Sequence, residues 1–498
     1  MEVDDVRISR RAVVRGGVVV AGASVLGACN TDSVGGTSAE DFTAADSQRV
    51  ADAEAARNPG KVREFALNPV ESEIDLGGVV VPTWTYDGKV PGEVIRVSKG
   101  EQIKAVVSNG LPDPTTVHWH GVALRCDADG TPGVTQDEIA SGAEFVYQFT
   151  APDSGTFWFH PHSGVQQDRG LYAPLIVDDP DDSLDYDEEW IVVLDDWLDG
   201  VEGMTPDAKL AELGGGMDHG GHGGHGGGDE NASDILGPDS GDVEYPYYLV
   251  NGRVAADPET FEAKPGARVR IRFVNAGGDT PFRVGLGGHR MTVTHTDGFA
   301  VEPAETDALL IGMGERYDVL VDLDDGVFPL VASAEGKGEL ARAIVRTGKG
   351  DAPPADAVPD ELSGHIVGYD ELTPAEAVRL PDAEPDRTVD LDLTGDEMMF
   401  EWGFNGKPYN RDELYAVAEG ERVRLRFANT TEMWHPVHLH GHTFAIVGSG
   451  IRKDTANVLP DETLEVDFDA VNPGQWMIHC HNVYHSEAGM MTLLGYKK

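Results

Sequence analysis

The stretch Gly420-Glu421-Arg422-Val423-Arg424-Leu425-Arg426-Phe427-Ala428-Asn429 decides the fold. Charged and apolar residues alternate through it, the period of two that gives a strand one wet face and one buried face. Upstream, Phe404-Asn405-Gly406-Lys407 supplies an Asn-Gly pair where a tight hairpin needs one. The arrangement occurs twice more. Trp84-Thr85-Tyr86-Asp87-Gly88-Lys89 precedes the run Gly100 to Asn109, and Leu249-Val250-Asn251-Gly252-Arg253 precedes Gly266 to Asn275. In every copy the glycine and the closing asparagine stand nine residues apart, and the copies repeat at about 150 to 165 residues. That is the period of a domain, not of a solenoid. The chain is therefore all-β, with consecutive sandwiches expected over 59–180, 181–350 and 351–498. The breaks fall near the acidic stretch 178–189 and the Pro/Ala/Asp-rich stretch 348–364.

The full chain of 498 residues is long enough for several cores, and its 40% of AVILMFWYC residues excludes wholesale disorder. No apolar run reaches the length of a membrane span, so no transmembrane helix is expected. The charge is extreme: 38 Lys+Arg against 87 Asp+Glu leave −49. Such a chain repels nucleic acid and anionic membranes, which excludes both as partners. Its carboxylates are dispersed, and at about 1 M salt a Debye length of about 3 Å would screen them from one another. A halophilic protein is expected.

The N-terminus reads as an address. Ser9-Arg10-Arg11 precedes a short apolar run from Gly16 to Ala28, which resembles a twin-arginine signal peptide over 1–29. Leu26-Gly27-Ala28-Cys29 resembles a lipobox, so a lipid on Cys29 would be the one membrane attachment. The polar segment 30–58 reads as a tether, and the expectation is a secreted or surface-held protein exported folded by the twin-arginine (Tat) route. With only Cys29, Cys126 and Cys480, no disulfide framework exists, and Cys126 reads as a small buried residue. An insert over 214–228 sets Met217, His219, His222 and His225 among ten glycines, a composition that can capture soft metal ions.

Ten of the 17 histidines fall in four motifs: His118-Trp119-His120, His160-Pro161-His162, His435-Pro436-Val437-His438-Leu439-His440, and His479-Cys480-His481 with His485 beyond it. Each contains His-x-His, and residues i and i+2 of a strand share a face. Eight imidazoles converging from four strands would be too costly to bury unless they hold metal. Cys480 lies between two of them and should point the other way. A thiolate with two imidazoles and a weak axial methionine is the trigonal arrangement of a blue copper site, which His435, His485 and Met490 complete.

At these residues the chain resembles the multicopper oxidases, and among them the three-domain laccase-like branch. The resemblance runs from near Arg63 to the C-terminus. It implies three cupredoxin-like Greek-key β-sandwiches and four copper ions. Type 1 copper would take His435, Cys480, His485 and Met490; type 2 would take His118 and His438. The type 3 pair would take His120, His160 and His481, and His162, His440 and His479. It implies one-electron oxidation of phenols and aromatic amines near an exposed edge of His485, coupled through Cys480 to four-electron reduction of O2 to water. The nearest alternative is a cuprous oxidase acting on Cu(I) for copper tolerance. Asp129 matches a proton-relaying acid. Where many bacterial members carry Glu directly after the second type 1 histidine, this chain has Ser486 and then Glu487, which puts Glu487 in doubt as the second proton donor.

Overall fold

A computed structural model describes residues 41–215 and 232–498. The signal-peptide reading of 1–29 with Cys29, residues 30–40 of the tether, and 216–228 of the insert with Met217, His219, His222 and His225 lie outside the described residues.

The repeat appears as three equivalent strands, Gln102–Ser108, Arg268–Asn275 and Arg422–Asn429. Each is preceded by the expected hairpin. Asp87 and Gly88 (φ 55° and 76°), Asn251 and Gly252 (49° and 74°), and Asn405 and Gly406 (55° and 73°) all take the left-handed conformation that such turns demand. The closing asparagine has the same work in each copy. Its Nδ2 donates to two carbonyls across the end of the sandwich: Asp113 and Ile139 for Asn109, Thr280 and Ile311 for Asn275, Met433 and Val458 for Asn429. Its Oδ1 accepts the backbone N–H two residues on. A buried amide thus satisfies backbone groups that the ending strand leaves orphaned.

The first sandwich pairs Val62–Leu67, Gln102–Ser108 and Glu144–Thr150 in one sheet and Ile95–Ser98, Ala173–Asp178 and Gly155–Phe159 in another. The second has sheets of seven and five strands, and the third has sheets of six and five. Ile103, Ala105 and Val107 face inward in the first, as do Val423, Leu425 and Phe427 in the third. The middle copy departs from the alternation: Arg270 and Arg272 are buried. The first domain packs over that face, where Arg272 donates to Thr156 (2.9 Å) and both arginines pair with Asp318 at 2.6 and 2.9 Å.

The tether reading needs correction over 41–58. Phe42 is buried and bridges to Lys497, and Gln48–Ala56 is a helix capped by Ser47. Glu54 of that helix accepts from the backbone N–H and hydroxyl of Thr150 at 2.7 and 2.6 Å. The segment is polar, yet its few apolar side chains and one buried carboxylate fasten it to the first and third domains. Among the described residues, no helix is long and apolar enough to cross a membrane.

Candidate metal centre

Two of the four histidine motifs lie beyond regular strands. His118 and His160 meet at an isolated bridge, whereas His435–Leu439 and Gln475–Cys480 are neighbouring strands. All eight imidazoles nevertheless converge where the first and third domains meet. His118 stacks on His440 with centroids 3.8 Å apart, and His120 stacks on His438 at 3.9 Å. Single ring nitrogens of His162, His440 and His479 lie within 4.8 Å of one another, and those of His118, His438 and His440 do likewise. His120 Nδ1 is 3.2 Å from His481 Nε2, with the His160 ring 5.4 Å from that of His481.

The outer nitrogens are tied and the inner ones are free. His118, His160, His438 and His479 place Nδ1 against backbone carbonyls of Asp129, Pro161, Asp454 and Cys480 at 2.8–2.9 Å. Nε2 of His118, His160, His162 and His438 is buried without any partner. Burial, and after it the neighbouring imidazoles, hold His120, His160, His440, His479 and His481 well below the ordinary histidine range, so these five are neutral donors. Neutral imidazoles with one nitrogen fixed and the other unsatisfied fit a metal cluster.

Two aspartates brace this cluster in matching ways. Asp129 accepts His118 Nδ1 on its carbonyl (2.9 Å) and His440 Nδ1 on its carboxylate (2.9 Å). Asp454 accepts His438 Nδ1 on its carbonyl (2.9 Å) and His120 Nε2 on its carboxylate (3.0 Å). Each acid thus holds one ring from its own domain and one from the other. Their other partners differ: Asp129 takes the Thr131 hydroxyl at 2.6 Å, and Asp454 takes the Arg316 guanidinium at 2.6 and 2.7 Å. Burial alone would raise the Asp129 pKa, but His440 and His118 overcome it and hold the carboxyl well below the carboxylate range.

On the opposite face of the same strand, Cys480 Sγ lies 3.7 Å from His435 Nδ1 and 3.8 Å from His485 Nδ1, with those nitrogens 3.2 Å apart. Thr431 fixes His435 through Nε2 at 2.8 Å, and Trp402 packs against His485 with ring centroids 4.1 Å apart and planes tilted by 33°. Met490 is buried, and its carbonyl accepts the Cys480 N–H at 3.0 Å. One cysteine and two histidines converge on a volume the size of an ion.

The expected exposed edge of His485 is corrected. His485 is fully buried, and its outer Nε2 meets Asp242 Oδ2 at 2.7 Å. Burial lowers the His485 pKa, but the Asp242 carboxylate and then Cys480 outweigh it and push it up to about 10. The sequence reading missed Asp242 and Asp454. Both lie outside any histidine motif, and Asp454 is 334 residues from His120, so no local pattern marks them. Glu487 lines a small cavity with His160, His162, His479, His481, Gln167 and Ser486. Burial and then the Glu138 charge push its carboxyl up to about 7. Cys126 is buried, as expected.

Three family profiles described as multicopper oxidase match residues 70–182, 188–350 and 382–497. The chain belongs to the multicopper oxidase family. It is therefore an oxidoreductase that uses oxygen and carries four copper ions. It is 46% identical to multicopper oxidase MmcO of Mycobacterium tuberculosis, over 99% of this chain and 97% of that protein. A copper resistance protein A homolog of Pseudomonas syringae pv. tomato is 27% identical, over 87% and 93% of the two chains. The crystal structure of a laccase from Botrytis aclada matches with a TM-score of 0.73 and 25% identity, covering 88% of each chain. In this multicopper oxidase the fold is three cupredoxin-like domains, as the sequence led us to expect.

Proposed function

We propose that this multicopper oxidase is an exported, laccase-like enzyme that takes single electrons from phenols and aromatic amines and passes them to O2. The observation that carries the reading is the back-to-back setting of Cys480. Its thiol meets His435 and His485 on one face of a strand, while His479 and His481 on either side face the eight-imidazole cluster. His435, Cys480, His485 and Met490 would hold type 1 copper, and His118 and His438 type 2. His120, His160 and His481 would hold one type 3 ion, and His162, His440 and His479 the other. When bound, the coppers supply the one-electron couples and the four-electron store that O2 reduction to water requires.

The side chains do the rest. Asp242 connects the buried His485 to the outside, so a reductant docks against this carboxylate and its electron enters through the hydrogen bond to the imidazole, without a bond to the metal. Cys480 and the backbone to His479 and His481 form the short covalent path inward. Protons reach the cluster on two sides, through Asp129 with Thr131 and through the cavity carrying Glu487. Cys480→Ser should abolish the blue colour and all oxygen uptake while the remaining copper stays bound; a Ser variant that stays blue would overturn the assignment.

A second reading, oxidation of Cu(I), is favoured by one observation. Met398 and Met399 are exposed at a turn whose next residue, Phe400, packs 6.0 Å from the His485 ring. The similarity to a copper resistance protein accords with it. Oxygen uptake with a phenol and with Cu(I), compared in the parent and in Met398→Ser/Met399→Ser, separates the two: a loss confined to Cu(I) supports the second.

A further inference from the structure

The middle domain contributes no imidazole to the cluster, yet one of its side chains reaches into it. Arg316, the first residue of strand Arg316–Asp322, is completely buried, and all five of its N–H groups are used. Nε donates to the Thr156 carbonyl at 3.0 Å, in the first domain. Nη1 donates to the Gly314 carbonyl at 3.0 Å and to Asp454 Oδ1 at 2.7 Å. Nη2 donates to the Asp297 carbonyl at 3.2 Å and to Asp454 Oδ2 at 2.6 Å. One guanidinium therefore joins all three domains.

We propose that Arg316 is a positioning residue for the three-copper site: its forked pair with Asp454 sets the His120 and His438 rings, and with them the fit of the first domain against the third. The proposal rests on the ligand assignment above. Asp454 has no freedom left. Its carboxylate receives both arms of Arg316, His120 Nε2, and the Thr455 hydroxyl at 2.9 Å, while its carbonyl receives His438. The flanking backbone is fixed from the middle domain too. Asp297 Oδ2 accepts the N–H groups of Asp454 and Thr455 at 3.1 and 3.2 Å. Lys453, also buried, pairs with Asp297 and Glu315 at 3.2 and 3.0 Å.

The surrounding glycines make the approach possible. A Cβ on Gly121 would collide with the Arg316 guanidinium and the Asp454 carboxylate, and Gly121 sits at φ +82°. A Cβ on Gly314 would stand 3.0 Å from His120 and 2.9 Å from His481, tighter than side chains tolerate. Asp129, the matching brace, has only a hydroxyl where Asp454 has a guanidinium. Asp454 alone of the two is pinned from a third domain. A lysine in place of Arg316 would keep the charge but could not fork onto two carboxylate oxygens.

The test uses the full-length copper-loaded enzyme. In Arg316→Lys, the blue thiolate band of the Cys480 site reports that the third domain is folded. With that band intact, the type 2 electron paramagnetic resonance signal should change. The three-copper site should also yield its metal at about 10–100-fold lower chelator than the parent, the usual effect of removing such an outer partner. If the Lys variant does not fold, Arg316→Gln/Asp454→Asn, a neutral hydrogen-bonding pair, is read in the same way. Parental resonance and chelator resistance in a blue variant would overturn the proposal. So would loss of the blue band together with the other copper in both variants, which would make the pair a folding contact only. His120→Ala keeps the two ideas apart: if it left the three-copper site unchanged, the ligand assignment would fail instead.

Discussion

Replacing Asp129 with asparagine separates its shape from its chemistry. Asp129 Oδ2 accepts both the Thr131 hydroxyl (2.6 Å) and His440 Nδ1 (2.9 Å). Oδ1 has no hydrogen-bond partner and lies 3.4 Å from His118 Nδ1, which already donates to the Asp129 carbonyl. An asparagine can therefore set its carbonyl where Oδ2 was and its amide nitrogen where Oδ1 was, with every hydrogen bond kept. What disappears is the ability to take up and release a proton. Loss of a general acid of this kind costs about 10²–10⁴-fold, or about 3–5 kcal/mol in the barrier. Stopped flow under argon should show the blue band bleaching with a phenol at the parental rate, because electron entry lies at His485 in the other site. On mixing with oxygen, the band should return about 10²–10⁴-fold more slowly. Parental recovery of the band in Asp129→Asn would reduce Asp129 to a brace for two histidines.

Asp242→Asn removes an anion held 2.7 Å from His485, so the type 1 reduction potential should rise in a spectroscopic redox titration; an unchanged or lower value would refute a direct electrostatic link. Asp168 is buried beneath the hydroxyls of Tyr484 and Tyr245; burial, then the Asp196 charge, raise its pKa well above normal. A carboxyl raised in the folded state stabilises fully below its unfolded pKa of about 4, and the contribution is lost as pH climbs through the folded value. Asp168→Asn should therefore flatten the fall in Tm as pH rises above about 4, and a fall as steep as the parent's would sink that account. With 87 acidic against 38 basic residues, Tm should drop as salt falls from about 1 M to about 0.1 M, where the Debye length grows to about 10 Å; a flat or rising Tm would exclude the halophilic reading.

Local patterns carried most of the fold and of the histidine clusters, because each is set by residues close in sequence. The Asn-Gly turns, the alternation in 422–429 and the His-x-His pairs need only two to ten positions to be read. Alternation misleads where a neighbouring domain replaces solvent. Arg270 and Arg272 occupy the wet positions of their strand by pattern, yet Thr156 and Asp318 bury them. The tether reading of 41–58 fails for the same reason, since Glu54 finds its partner 96 residues away at Thr150. Charged residues were read as solvated because burial of a lone charge is prohibitive, and that rule reverses once a partner is present. Whether a partner exists is a property of two distant positions. Arg316 and Asp454 are 138 residues apart, and neither has a sequence context that marks it. The imidazole and thiolate clusters were legible because such side chains point to metal wherever they gather. Asp242 and Asp454 hold those histidines and Arg316 holds Asp454, with side-chain types that recur along this whole acidic chain, so only the assembled domains distinguish them.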